Sequence, residues 1–154
     1  MNVFLSDEQD RPVDAVSLRN FAVRVLEEEG YAADTELAVV LVGAKQMTDY
    51  NERFMDRKGP TDVLAFPIED LVAGSAPRRL RDEPPVALGD VFLCPEEIEA
   101  RARAEGFVYD DFLHLLLAHG ILHLLGYDHD DDTTADAMEK REDELLALIG
   151  RSLG

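Results

Sequence analysis

Residues 119–129, HGILHLLGYDH, hold three of the four histidines in this chain. His119 and His123 are four apart in a segment of helical patterning, so both imidazoles leave one face of the helix. Gly126 follows and suits the left-handed conformation that ends a helix. The chain can then reverse through Tyr127-Asp128 and bring His129 back to the first pair. Three neutral imidazoles so arranged span one face of a tetrahedron and leave the fourth position open to water. That is the pattern of a catalytic zinc site; structural sites usually close with four protein ligands, often thiolates. Only one cysteine, Cys94, is present. The spacing therefore predicts one metal ion on His119, His123 and His129. Zinc is the leading expectation, although three imidazoles also suit copper, nickel or iron.

The same residues fit the metzincin pattern H-E-x-x-H-x-x-G-x-x-H at every fixed position but one. Where those peptidases carry their general-base glutamate, this chain has Gly120. The metal cradle is there and the peptidase base is missing, so a zinc peptidase would need a carboxylate from elsewhere. A ligating histidine usually gives its other ring nitrogen to an acceptor that fixes the tautomer. Asp128 is the expected partner. The neighbouring acids Asp130, Asp131 and Asp132 read as a solvated helix start, with Asp132 as the N-cap. His114 lies well round the helix from the metal face and reads as a residue with an ordinary packing or surface role.

The elements that must position this cluster can be traced along the chain. Val3–Leu5 reads as a short strand. Ser17–Gly30 carries apolar residues at helical spacing, with Gly30 as its C-terminal cap. The run TELAVVLVG, from Thr35 to Gly43, is a buried strand, followed by a helix over about Ala44–Phe54. Gly59-Pro60 turns the chain into a strand over Asp62–Phe66, which Pro67 ends. Residues 69–85 lose periodicity and form a surface loop. Val86–Leu93 is again a strand, and Pro95 opens a helix whose first turn is acidic, as the helix dipole favours. Helices over about Tyr109–Leu125 and Thr133–Ile149 finish the chain. About four strands and about five helices in unalternating order predict an α+β fold: one domain over residues 1–154, a mixed sheet with helices packed against it, the histidines on a zincin-like helix.

Composition bounds the function further. The net charge of −18 repels DNA, RNA and anionic membranes at long range. It leaves room for a local cationic groove, or for docking to a basic protein. No basic segment with a long apolar run marks a signal peptide, and no apolar stretch reaches the ~20 residues that span a bilayer. A lone cysteine, expected as a small buried hydrophobe on a strand, fits a reducing cytosol. The expected location is cytoplasmic, with no membrane and no DNA partner.

HGILHLLGYDH taken with GPTDVLAFP and LGDVFLCPE resembles the YbeY-type family of ribosomal-RNA maturation endoribonucleases, in motif order and in spacing, from about Glu36 to Gly150. The resemblance implies a zinc-binding α+β fold and a single-strand-specific, metal-dependent endoribonuclease. It also implies roles in 16S rRNA 3′-end maturation and ribosome quality control. His119, His123 and His129 fall on the motif histidines and are implied as zinc ligands. The implied partners are ribosomal RNA, the small subunit of the ribosome, and ribosomal or assembly proteins. Two positions depart from the pattern. Met55 stands where many members have an arginine assigned to the active-site cleft, and Ala65 where many have serine. Arg53, Arg57 and Lys58 are the nearby cations that could contact phosphate instead. Two other readings stand beside the nuclease: a ribosome-assembly factor whose zinc is mainly structural, and a zinc peptidase.

Overall fold

In the computed structural model, which describes residues 1–80 and 82–154, the chain is built around β2, Glu36–Val42. Its side chains alternate across the sheet. Leu37, Val39 and Leu41 enter the main core, while Val40 and Val42 enter a smaller cluster on the opposite face. This is the period of two that strand geometry dictates. β2 is flanked by β1, Asn2–Glu8, and β4, Ala87–Leu93, both parallel to it. β3, Val63–Pro67, pairs antiparallel to β4, so the four-stranded order is β1-β2-β4-β3.

Five helices cover this sheet among the described residues: α1 (Ala15–Glu28), α2 (Ala44–Met55), α3 (Pro95–Glu105), α4 (Tyr109–Leu124) and α5 (Asp132–Leu148). The fold is α+β with a mixed sheet, as the element count predicts. α4 is apolar on nearly every side because neighbours surround it. It packs on β3 and β4 and is contacted by α1, α3 and α5. α2 caps the other face, where Met47 joins Val42, Leu64 and Cys94. Cys94 is fully buried but lies just beyond β4, as the residue capping α3, and burial pushes its thiol pKa up.

Two sequence expectations need adjustment. β1 is longer than Val3–Leu5, running from Asn2 to Glu8 as an edge strand in which only Val3 is buried. The N-cap of α5 is Asp131, not Asp132: its carboxylate accepts the Thr134 amide at 2.8 Å, and the Thr134 hydroxyl closes a capping box. Asp132 has already entered the helix. The expected loop over 69–85 is found: its described residues carry only an isolated bridge, Val72 with Ser75, and Arg81 lies outside the described residues.

β4 also contains a device that periodicity alone does not reveal. Against Glu36 and Ala38 of β2 it sets Ala87 and Asp90, one residue too many, so the strand bulges. Gly89 sits in the bulge at φ 126°, and a Cβ there would lie 2.1 Å from the Phe66 carbonyl oxygen. Only glycine fits. The bulge turns Leu88 to the same face as Val91 and Leu93, beneath α4.

Candidate metal centre

α4 ends in a Schellman motif. The Tyr127 amide donates to the Leu122 carbonyl at 3.0 Å, and the Gly126 amide donates to the His123 carbonyl at 3.1 Å. Gly126 takes φ 100°, and its Cβ position is closed by the Leu71 carbonyl oxygen at 2.2 Å. Both the reversal and the passing 71–73 backbone therefore demand glycine. Beyond the reversal the chain carries His129 back over the end of α4.

Ring centroids lie 4.7 Å apart for His119 and His123, 4.9 Å for His123 and His129, and 5.7 Å for His119 and His129. One ligating atom from each falls within 4.8 Å of the other two. His119 and His123 are half-buried and His129 is exposed, so the group opens to solvent on one side. Burial, then the neighbouring His119 and His129, pull the His123 pKa below its ordinary value. The hydrogen-bonded Tyr127 backbone and the Glu142 carboxylate oppose that shift. A neutral imidazole at neutral pH is the form a metal ion requires. Three histidine nitrogens without a thiolate would suit a divalent ion such as zinc.

The acid that reaches this cluster is not Asp128. The Asp128 carboxylate accepts from the Asp130 amide at 3.4 Å, a local turn contact. Glu142 of α5 instead places Oε2 3.1 Å from His119 Nδ1. The sequence signal for Glu142 is slight. It is an acid inside the apolar stripe Met138, Leu145, Leu146, where helical spacing asks for a hydrophobe. The residue beside it anchors the same helix. Arg141 Nε donates to the nearly buried Glu29 at 2.6 Å, and the Tyr127 hydroxyl donates to the same carboxylate at 3.0 Å. Burial and Glu29 push the Tyr127 pKa up to about 12, so the hydroxyl remains a donor.

Beside His119 and His129 opens a cleft of about 850 Å³ between α3, α5 and the C-terminal residues. Among the described residues its lysine and arginine side chains are Arg101 and Arg151; Arg53, Arg57 and Lys58 do not line it. Arg53 pairs with Asp49 at 3.4 Å, and its guanidinium lies 6.0 Å from the Phe54 ring centroid. Arg57 and Lys58 are exposed in the loop after α2, which Asn51 holds by donating to the Gly59 carbonyl at 2.9 Å. Arg101 is bound to Asp62 and Glu105, and Arg151 to Asp110 and Asp111. His114, fully buried, lies away from the cluster against Ser17 and Phe21.

A family model described as Endoribonuclease YbeY matches residues 4–150. Endoribonuclease YbeY of Frankia casuarinae is 43% identical over 148 residues, covering 96% of this chain and 74% of that protein. That of Acidothermus cellulolyticus is 40% identical over 147 residues, covering 95% and 90%. This chain belongs to the endoribonuclease YbeY family. The solution structure of a Thermotoga maritima protein, 24% identical, superposes with a TM-score of 0.61 over 94% of this chain and 86% of that one, which bears on the fold alone. The two departures from the YbeY pattern fall on different surfaces. Met55 is 42% exposed at the end of α2, and Ala65 of β3 packs against the core beneath α4.

Proposed function

We propose that this chain is a zinc-dependent, single-strand-specific endoribonuclease that acts as one hydrolase domain in the cytoplasm. Its substrate is ribosomal RNA, with 16S rRNA 3′-end maturation and ribosome quality control as its setting. The convergence of three histidine nitrogens within 4.8 Å, in a chain of this family, carries the reading. When bound, one zinc ion would supply Lewis-acid charge at the scissile phosphate and acidify a water. His119, His123 and His129 would hold it, and His123 is kept neutral by burial and by its neighbours.

The rest falls to the chain itself. Arg101 and Arg151 are the cations that share the cleft with the histidines and are the stronger candidates for a phosphate contact. Arg53, Arg57 and Lys58 would meet RNA only outside that cleft. The charge of −18 favours delivery of the RNA within a larger assembly, namely the small ribosomal subunit with its ribosomal or assembly proteins. Among the described residues no helix is long and apolar enough to cross a membrane. A peptidase reading fares badly at Gly120: a Cβ there would lie 2.7 Å from Val91 Cγ1, so the missing glutamate has no room.

The test is cleavage of a single-stranded rRNA segment by stringently purified protein, compared with His119→Ala and His123→Ala. Cleavage should be lost in both and should return to the metal-stripped wild type on adding zinc. Undiminished cleavage by either variant would overturn the proposal.

A further inference from the structure

Glu142 lies in the apolar stripe of α5, its side chain only 9% exposed. Its one side-chain hydrogen bond is the 3.1 Å contact with His119 Nδ1, and among the described residues it pairs with no arginine or lysine. A buried carboxylate without a counter-charge is costly unless something offsets it. The cleft it lines also holds Arg101 and Arg151, but Arg101 is paired with Asp62 and Glu105, and Arg151 with Asp110 and Asp111. An acceptor at Nδ1 requires the proton there and leaves Nε2 as the free nitrogen of His119.

We propose that Glu142 is the positioning residue of the metal centre. It accepts the Nδ1–H of His119, locks the tautomer and ring angle that present Nε2 to the ion, and sets a buried negative charge one ring away from it. The inference rests on the three histidines holding a metal. α5 is well suited to the task because the adjacent Arg141 is fastened to Glu29, which also receives the Tyr127 hydroxyl. One helix thus braces His119 directly and the His129-bearing turn through Glu29.

Zinc affinity of the full chain, measured by competition with a chromogenic chelator and without RNA, tests this. Glu142→Ala should weaken binding about tenfold to a hundredfold. Glu142→Gln, whose amide oxygen can still accept, should weaken it less, and Asp136→Asn, on an exposed part of the same helix, should leave it unchanged. In the zinc-loaded protein the His119 Nδ1–H should give a slowly exchanging proton resonance that Glu142→Ala abolishes. Wild-type affinity in both Glu142 variants would overturn the proposal, as would an equal loss in Asp136→Asn. If Glu142→Ala does not fold, affinity of Glu142→Gln within twofold of wild type would do the same. A wild type that binds no zinc overturns the metal reading and this inference together. Zinc binding that depends on Glu142, without RNA cleavage, supports the inference and overturns only the nuclease reading.

Discussion

His114 is fully buried with both ring nitrogens occupied. Nδ1 lies 2.7 Å from the Asp110 carbonyl, to which its N–H donates, and Nε2 lies 2.9 Å from the Ser17 hydroxyl. Burial pulls its pKa below the ordinary 6.5, with Arg151 adding to the shift and the Asp110 carbonyl opposing it. The unfolded chain therefore binds the proton more readily than the folded one. Stability contributed by this group is complete above pH 6.5 and is lost as pH falls from there toward the lowered folded pKa. Urea unfolding of the wild type should accordingly show a free energy that declines on acidification through this window. His114→Gln should have a shallower decline. An unchanged or steeper slope in the variant would count against a neutral, buried His114. His119, one and a half turns along the same helix, has a different environment: a carboxylate on Nδ1 and two further imidazoles beside it.

The helix α4 lies so close to the sheet that Gly120 is where the two touch. A Cβ there would meet Val91 Cγ1 at 2.7 Å and Val63 Cγ2 at 3.2 Å. Alanine is the better helix former by about 1 kcal/mol. Overpacking against two β-branched side chains costs about 1–3 kcal/mol, so the packing term should win. Gly120→Ala should destabilise the fold in equilibrium urea unfolding, and Gly120→Glu more so, because a carboxylate would be driven against an apolar sheet. A net gain near the propensity value for Gly120→Ala would show that α4 can move away from β3 and β4. The same closeness gives Gly120 a reason independent of catalysis. The position that bears the base in metzincins is here the contact point of helix and sheet.

At the scale of the molecule, the main core joins all strand faces beneath α4 with α1, α3 and α5, and none of its buried members is one of the three clustered histidines. The cluster sits at the solvent side of α4 and closes no part of that core. On the proposed zinc reading, removing the ion should therefore leave the fold intact while abolishing activity. Binding to the native state alone adds about 4 kcal/mol at a thousandfold excess over Kd, so chelation should lower Tm and preserve a cooperative transition. Calorimetry with and without a chelator checks this. Loss of the transition on chelation would favour a structural zinc and the assembly-factor reading.

The elements were largely legible in sequence, because strand alternation in ELAVVLV and helical spacing in α1 and α4 follow from burial of one face or of all faces. His119, His123, Gly126 and His129 could be read together because they sit on consecutive local structures: one helix, its cap and one reversal. What sequence could not supply were contacts made across the fold. Asp128 was the nearer acid along the chain, yet Glu142, 23 residues from His119, is the one that meets it, because α5 packs on α4. Arg53, Arg57 and Lys58 were neighbours of a motif; Arg101 and Arg151, from α3 and the C-terminal segment, share the cleft with the histidines. The bulge at Gly89 depends on how β4 meets β2 and β3. Sequence alone determined which three histidines come together, since that depends on backbone periodicity and one local reversal. Tertiary packing decided which charges surround it, since a buried partner is chosen by proximity in space.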